Sequence, residues 1–401
     1  MGAQKNSLKG STLFFIAIVI FTVVGIIIFP QEVFNASKKG LLLWFNTVFP
    51  SLFPFMVGTY LLIELGVVRF IGILFEPIMR PLFNVPGVGA FAWVMGLTSG
   101  YPVGAKITAD LRSKGEITQV EAQRLAAFSN NSGPLFILGA VSVGMLSNPG
   151  VGMFLLGIHY LSSFSVGLLF RFYKRDNACK NKSSNHLFKR ALKQLILEQK
   201  NQSKKIGAIL KESIIHSMDL IVQIGGFIIL FSVIAELLKV FSIMNLFNQV
   251  LSPIFSFIGF DRNLINGWVL AVIEITNGIN MMGSSSYPLD QQLILVNSVI
   301  AWGGISILMQ TVSVISNSDI KVSVYVLAKF IQSVFAIIYT ILLYPHIKAF
   351  QTHSVFNTFQ YFNPQGHFLQ TWTYTCSSLC ILFVILNLIT RKKACKKHTH
   401  C

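Results

Sequence analysis

Long apolar stretches, separated by short polar segments, follow one another along almost the entire chain. A run of about twenty apolar residues is long enough for an α-helix to cross a bilayer, and several stretches reach that length. The pattern therefore predicts an all-α polytopic membrane protein. The predicted spans are residues 11–29, 40–66, 125–146, 151–172, 213–239, 293–315, 324–344 and 373–389.

Two further apolar stretches are too interrupted to cross the membrane as single helices. Residues 86–111 are broken at Gly100-Tyr101-Pro102, and residues 264–282 carry Glu274 among apolar neighbours. We predict that each is a re-entrant helical hairpin, which enters the membrane and leaves on the same side. Two of the spans are also broken, at Phe128-Ser-Asn-Asn-Ser-Gly-Pro-Leu-Phe136 and at Gly303-Gly304. Irregular backbone at membrane depth survives only where protein or a water-filled cavity satisfies its polar groups, so the breaks predict a binding site.

The two halves of the chain resemble each other. Gly-Leu-Thr-Ser-Gly at 96–100 aligns with Glu-Ile-Thr-Asn-Gly at 274–278, and other matching pairs keep the same order. The segment between the halves is basic, because residues 173–213 hold eleven Lys or Arg and three acidic residues. The positive-inside rule places this loop and both termini in the cytoplasm. When the spans are counted with the termini and this loop inside, the first repeat begins on the outer side and the second on the inner side. The repeats are therefore inverted, which is the architecture of secondary transporters.

These features divide the chain into five parts. Within the two repeats, residues 67–83 and 240–260 are predicted to be interfacial helices. The parts are an N-terminal transmembrane anchor (1–39), a first repeat (40–172), a basic cytoplasmic loop (173–212), a second, inverted repeat (213–345), and an external loop with the last transmembrane helix and a basic cytoplasmic tail (346–401).

Composition narrows the function classes. The 401 residues are 53% hydrophobic with a net charge of +17. No nucleic-acid-binding module accompanies that charge, so the expected partner is the lipid bilayer. The five cysteines show no disulfide spacing, and no Walker loop, Ser-His-Asp set or HExxH motif is present. We expect no enzyme activity and no cofactor, and no metal site at the C-terminal Cys395, His398, His400 and Cys401.

The candidate site is formed by polar residues and glycines at the hairpin tips and breaks. A hairpin tip presents helix N-terminal N–H groups, which together with neutral side-chain donors suit a small polar or anionic solute. Freed carbonyl groups also suit Na⁺, so Na⁺ or H⁺ is the expected coupling ion. The candidate binding residues are Thr98, Ser99, Gly100, Lys106, Asn130, Asn131, Ser132, Gly133, Glu274, Thr276, Asn277, Gly278, Gly304, Ser306 and Gln310.

Four ionisable residues allow more than one interpretation. A carboxylate in an apolar helix costs roughly 3 kcal/mol unless it is paired, so Glu274 is either functional or paired with Lys106. Lys106 alternatively extends to the cytoplasmic face. His159 is expected to be a packing histidine with satisfied hydrogen bonds, with a proton role as the alternative. Lys329 is expected to point to the cytoplasmic interface.

Segments of the first half carry a family resemblance. They include residues 40–55 and 75–83, Met95-Gly-Leu-Thr-Ser-Gly-Tyr-Pro-Val-Gly-Ala-Lys106, and Asn130-Asn-Ser-Gly-Pro-Leu-Phe-Ile137. These closely resemble the sporulation integral membrane proteins of the YlbJ type, from endospore-forming Firmicutes, whereas the second half agrees more loosely.

The resemblance implies a nucleoside-recognition, or Gate, domain in each repeat. That group is similar to concentrative nucleoside transporters, in which two re-entrant hairpins and two unwound helices surround the solute. The resemblance also implies a role in spore formation, including formation of the cortex. The implied cargo is dipicolinic acid, exported from the mother cell across the outer forespore membrane.

Three functional hypotheses follow. The first is a secondary carrier of a small aromatic dicarboxylate, and the second is a transporter of nucleosides or related metabolites coupled to Na⁺ or H⁺. The third is a non-transporting assembly factor of the spore envelope. Alanine at Asn131 and Glu274 separates them, because a carrier would lose flux while keeping its level in the membrane. The oligomeric state is left open, with a homo-oligomer as one alternative.

Overall fold

Every regular element among the described residues is helical, as the apolar stretches predict. The computed structural model describes residues 10–174, 187–201, 205–257, 259–283 and 287–351. The chain divides into two units, Met1–Ile341 and Leu342–Cys401, and the hairpins, the breaks and the cavity described below lie in the first.

Sixteen α-helices follow one another along the described residues, with three short or irregular helical segments between them. The π-helix Leu135–Met145 is called the π-segment below. In chain order the helices are α1 (Gly10–Ile28), α2 (Pro30–Leu43), a π-turn (Trp44–Val48), α3 (Phe49–Glu64), α4 (Val67–Phe83), α5 (Gly89–Ser99), α6 (Val103–Ser113), α7 (Gln119–Ser129), the π-segment, a 3₁₀ turn (Pro149–Val151), α8 (Gly152–Phe170), α9 (Leu187–Asn201), α10 (Ile206–Val240), α11 (Ile243–Phe257), α12 (Arg262–Ile273), α13 (Ile275–Gly283), α14 (Leu289–Trp302), α15 (Gly304–Ile315) and α16 (Val322–Gln351).

Several helices have the length and composition of membrane spans. Among the described residues four qualify, namely Pro149–Phe170, Ile206–Val240, Leu289–Ile315 and Val322–His346. A fifth is formed if Ile16–Ile28 and Pro30–Asn46, which are bent by 109° at their junction, count as one span. The chain is therefore a multi-pass helical membrane protein, with four of its spans close to their predicted positions.

The N-terminal part and the basic loop differ from the prediction. Residues 30–64 form one continuous helical run, so the helix that contains the predicted second span begins ten residues before residue 40. The basic segment expected as a loop contains α9, whose Phe188 ring packs edge-on against Phe70 of α4 at 6.1 Å. The predicted span at 125–146 is divided between α7 and the π-segment, each of which has 11 residues. The predicted span at 373–389 lies outside the described residues.

Two helix pairs fold back on themselves. α5 and α6 meet at Gly100-Tyr101-Pro102, where the Tyr101-Pro102 peptide bond is cis. In the second pair, Gly278 of α13 packs against Ala271 of α12 across a bend at Glu274. Both hairpins therefore turn at the interruptions that the sequence marks.

Two helices are interrupted beside these hairpins. α7 begins with a capping box, in which the Thr118 hydroxyl accepts from the Glu121 N–H and the Glu121 carboxylate accepts from the Thr118 N–H at 2.9 Å. It ends at Ser129, and residues 130–133 have no regular secondary structure before the π-segment begins. α14 ends at Gly303, whose φ of 87° is a left-handed conformation that favours glycine. α15 then starts directly at Gly304.

Glycines fix the first hairpin against the first break. Gly96 of α5 and Gly104 of α6 face each other, and the carbonyl oxygen of Ser129 lies against both. A Cβ atom on either glycine would overlap that oxygen. Behind this contact the rings of Phe83 and Phe128 stack with centroids 4.4 Å apart, so the end of α7 is held from both sides.

An ion pair joins the first hairpin to the segment before α16. Arg112, near the end of α6, donates two hydrogen bonds to the Asp319 carboxylate at 2.8 and 2.7 Å. These hydrogen bonds lower the pKa of Asp319 below its usual value. The pair therefore stabilises the fold when the pH is above the ordinary pKa of Asp, and this contribution is lost as the pH falls through the lowered pKa of Asp319. Both side chains are partly exposed, so the contribution is small.

Replacement of Gly104 by alanine tests the glycine contact. Because the new Cβ would overlap backbone rather than a flexible side chain, Gly104→Ala should lower the free energy of unfolding by roughly 1–3 kcal/mol. The measurement is thermal unfolding of the purified protein in detergent. Gly157→Ala in α8 is the matched control, because a Cβ there meets nothing within 4 Å. Equal melting temperatures for Gly104→Ala and the wild type would contradict the close contact.

Candidate functional site

The tip of the first hairpin touches the first break. Gly100 at the tip has a φ of 85°, and a Cβ on Gly133 would lie 3.3 Å from the Cα of Gly100. The second hairpin repeats this arrangement, since a Cβ on Gly304 would lie 3.2 Å from the carbonyl oxygen of Ile273. In each half the irregular backbone of a hairpin tip therefore packs on the irregular backbone of a broken helix.

A cavity of about 410 Å³ lies where these interruptions meet. Nine of the fifteen candidate residues line it, from both hairpins and both broken helices. They are Thr98, Ser99, Gly100, Ser132, Gly133, Glu274, Thr276, Ser306 and Gln310.

Most of the other residues that line the cavity are apolar. α2, α3, the π-turn and α10 contribute aliphatic and aromatic side chains, and Tyr101 and Phe136 add two more rings. The polar groups are thus concentrated at the interruptions. The apolar wall residues are Leu43, Val48, Leu52, Ile224, Phe227 and Ile228.

Three buried polar atoms on the cavity wall have no hydrogen-bond partner among the described residues. They are Ser99 Oγ, Ser132 Oγ and Gln310 Nε2, and all three residues are less than 7% exposed. Buried polar groups in native proteins are nearly always paired. Each of these atoms is itself almost fully covered, and Ser132 also lies close enough to Tyr101 to interact with its hydroxyl, so donation of a hydrogen bond to a solute in the cavity would need a rotation of the side chain.

Glu274 caps the second hairpin's outgoing helix. Its carboxylate accepts hydrogen bonds from the backbone N–H groups of Thr276 at 3.1 Å and of Asn277 at 2.7 Å. The N-terminus of α13 therefore already has a resident carboxylate. These two N–H groups, which the sequence analysis assigned to a solute, are occupied.

Lys106 does not take the role that the sequence analysis considered for it. Its ammonium lies 2.6 Å from Asp110 on the same helix, and both side chains are about one-third exposed. The pairing with Glu274 is therefore wrong, and Lys106 is not among the residues that line the cavity.

Asn130 and Asn131 point away from the cavity, toward α16. The Asn130 amide donates to Thr311 Oγ1 at 3.0 Å and to the Tyr325 hydroxyl at 2.7 Å. The Asn131 amide donates to the Phe128 carbonyl oxygen and accepts from Gln332. The structure therefore gives both asparagines contacts that support the break.

Three further candidates also serve the framework. Asn277 offers its backbone N–H to Glu274, and Gly278 allows the close approach of α13 to α12. Gly304 starts α15 against the second hairpin tip, with a φ of 75°. None of the three lines the cavity.

The expectation for Lys329 is wrong, because this side chain is fully buried rather than directed to the cytoplasmic interface. Its ammonium donates to the Asn130 carbonyl oxygen, to Gln332 Oε1 at 2.8 Å and to the Tyr101 hydroxyl at 3.4 Å. The sequence contained a signal for this cluster. Tyr325, Lys329 and Gln332 are polar residues spaced i, i+4 and i+7 in an apolar stretch, which places them on one helix face.

His159 of α8 also supports the first break. Its Nε2 accepts a hydrogen bond from the backbone N–H of Ser132 at 3.0 Å. Nε2 therefore carries no proton, and the neutral ring holds its proton on Nδ1, which has no partner among the described residues. The expected packing histidine with satisfied hydrogen bonds is therefore found at Nε2 but not at Nδ1.

Within the described part of the chain, no three His, Cys, Asp or Glu side chains cluster as metal ligands would. The C-terminal cysteines and histidines lie outside it.

The cap at Glu274 can be tested by substitution. Glu274→Ala leaves two buried N–H groups unpaired and should lower the free energy of unfolding by about 0.5–2 kcal/mol. Glu274→Asp, with a carboxylate that can still cap a helix, should lose less. Thermal unfolding of the three proteins measures this, with Asp219→Ala on the exposed face of α10 as the control. Alanine and aspartate variants of equal stability would contradict the capping role.

Comparison with known proteins agrees with this geometry. A family model described as Gate, nucleoside recognition, matches residues 45–148, which include the first hairpin and the first break. No solved structure matches the chain. Over 349 residues, 84% of each chain, the sequence is 37% identical to the sporulation integral membrane protein YlbJ of Bacillus subtilis strain 168. The chain therefore belongs to the YlbJ family of sporulation integral membrane proteins.

Proposed function

We infer that this protein is a secondary transporter of a small anionic solute, and that the solute is dipicolinic acid. The observation that carries the proposal is the set of unpaired donors Ser99, Ser132 and Gln310 on the wall of the cavity between the two hairpins. A carrier needs a site that can release its solute, and unpaired neutral donors bind an anion without the strength of an ion pair.

The shape and chemistry of the cavity support a flat aromatic dicarboxylate. Dipicolinate is a single ring with two carboxylates, and a cavity of about 410 Å³ falls in the range of small-molecule sites. Its ring would lie against the apolar wall formed by α3 and α10. Its carboxylates would accept hydrogen bonds from the hydroxyls and the amide at the interruptions.

The order of elements supports the inverted repeat and the re-entrant hairpins. In the first half a long helix precedes α4, the α5–α6 hairpin, the broken α7 and α8. In the second half α10 precedes α11, the α12–α13 hairpin, the broken α14–α15 and α16. The basic segment between the halves supports a cytoplasmic location for it and for both termini. In this proposal the carrier lies in the outer forespore membrane, moves its solute out of the mother cell and is needed for cortex formation.

The charges around the cavity are compatible with an anion. Glu274 contributes one carboxylate to the wall, and its charge is shared with two backbone N–H groups. Lys329 lies behind Tyr101, with its ammonium 3.4 Å from the hydroxyl of that residue. Lys106 is paired with Asp110 outside the cavity, so in this proposal the positive charge nearest to Tyr101 on the cavity wall is that of Lys329.

A nucleoside is the second candidate solute. The family model that matches residues 45–148 is described as nucleoside recognition, and a cavity of this size also suits a nucleoside. Under either solute we expect Na⁺ or H⁺ as the coupling ion, no enzyme activity, no cofactor and no nucleic-acid partner.

Uptake into proteoliposomes tests the proposal. The purified protein alone is reconstituted, and entry of labelled dipicolinate and labelled uridine is followed in parallel. Saturable dipicolinate uptake supports the proposal, and uridine uptake alone favours the nucleoside alternative. If folded protein moved neither solute, the carrier proposal would fail in favour of an envelope assembly factor.

Gln310 offers a sharp variant for the same assay. Gln310→Leu removes an N–H donor to a carboxylate of dipicolinate. A hydrogen bond to a charged group contributes about 1.5–3 kcal/mol, so the apparent affinity for dipicolinate should fall about tenfold to hundredfold. The melting temperature should stay near that of the wild type, because the amide N–H₂ has no protein partner to lose.

Gln223→Leu on α10 is the matched control. It is the same exchange at an exposed position that does not line the cavity, so its transport should equal that of the wild type. Unchanged dipicolinate affinity in Gln310→Leu would show that this amide does not contact the solute.

A further inference from the structure

A buried ammonium occupies the space between the first hairpin tip and the first break. Lys329 is 0% exposed, and its nitrogen contacts the Asn130 carbonyl oxygen, Gln332 Oε1 and the Tyr101 hydroxyl. An ammonium has three N–H donors, and each has one oxygen here. The nitrogen also lies 5.1 Å from the Tyr101 ring centroid and 5.9 Å from that of Tyr325, within cation–π range.

All three oxygen partners are neutral. No carboxylate lies within ion-pair distance of Lys329 among the residues that the structure describes. A backbone carbonyl, an amide oxygen and a hydroxyl form the kind of ligand set that proteins use for hard cations at unwound helices in membranes. The geometry is therefore that of a small cation site whose cation is attached to the chain.

The position of the ammonium explains why the break persists. Residues 130–133 leave helical geometry, so the Asn130 carbonyl oxygen needs a donor that its own helix does not supply. Lys329 supplies that donor. Gln332, one turn further along α16, binds both Lys329 and the Asn131 side chain.

We propose that Lys329 is a tethered cation that holds the first break open, in the place that a bound sodium ion would otherwise fill between the hairpin tip and the unwound segment. The cation site itself does not depend on the transported solute. Its consequence for coupling, namely that this position needs no Na⁺, rests on the proposed transport function.

Chemical rescue tests the site without any transport assay. Lys329→Ala removes three methylene groups and the ammonium, which together have the size of n-propylammonium. The melting temperature of Lys329→Ala in detergent should fall by about 5 °C or more. Added n-propylammonium or Na⁺ should recover most of that loss, whereas 1-propanol, which has the same shape but no charge, should not.

Two further proteins keep the test decisive if Lys329→Ala does not fold. Lys329→Met keeps the length of the side chain without its charge and should be destabilised like the alanine variant. The wild type should melt at the same temperature in NaCl and in N-methyl-D-glucamine chloride of equal ionic strength. Lys321→Ala, at an exposed lysine just before α16, is the matched control and should behave like the wild type.

Several outcomes would overturn the tethered cation. The first is a Lys329→Met protein as stable as the wild type. For Lys329→Ala, they are rescue by 1-propanol as well as by n-propylammonium, or no rescue by either cation. For the wild type, it is stabilisation specifically by sodium. In proteoliposomes, dipicolinate uptake should be equal with and without a sodium gradient, which leaves H⁺ of the two expected coupling ions. A protein that moved no dipicolinate but showed the rescue would refute the proposed function and leave the cation site intact.

Discussion

Backbone groups left without helical partners at the helix interruptions are the constraint on which this structure depends. Each interruption of a helix exposes N–H and C=O groups that hydrocarbon cannot solvate. The chain satisfies them locally with ionisable side chains, since Lys329 donates to the Asn130 carbonyl oxygen and Glu274 accepts from two N–H groups of α13. His159 accepts from the backbone of Ser132 at the same break. These ionisable side chains therefore satisfy the backbone, and of the three only Glu274 also lines the cavity, together with uncharged hydroxyl and amide groups.

This division of roles accounts for the character of the site. The side chains that hold the breaks have their hydrogen bonds directed away from the cavity, as Asn130 and Asn131 do toward α16. Three polar side chains that line the cavity, at Ser99, Ser132 and Gln310, carry a buried atom with no hydrogen-bond partner among the described residues. A rigid frame with unpaired neutral donors suits a carrier, because solute binding then need not break the interactions that maintain the fold.

The sequence predicted the fold well because its strongest signals are local. Apolar length identified four spans, and the glycines and proline around residue 100, together with Glu274, marked both hairpin tips. The same signals indicated which segments meet, so nine of the candidate residues line one cavity. Local pattern could not decide which way a polar side chain points. Asn131 and Ser132 are neighbours in the chain, yet one contacts α16 and the other faces the cavity.

Lys329 shows what the sequence reading missed and why. The sequence analysis directs Lys329 to the cytoplasmic interface, although the spacing of Tyr325, Lys329 and Gln332 places three polar side chains on one face of a helix. Its partners Tyr101 and Asn130 lie about two hundred residues earlier in the chain, as the separations of 228 and 199 positions show. Such contacts arise only when the repeats pack together, so local pattern does not predict them.

The most direct test of the central claim asks whether the solute occupies this cavity. Ser132→Cys, in a protein whose five native cysteines are replaced by serine, places one thiol on the cavity wall. The rate of alkylation by N-ethylmaleimide is then measured with and without dipicolinate. The account predicts that dipicolinate slows alkylation in a saturable manner and that an aliphatic monocarboxylate does not. An alkylation rate unchanged at saturating dipicolinate would show that the solute does not bind in the cavity, and the account would be wrong.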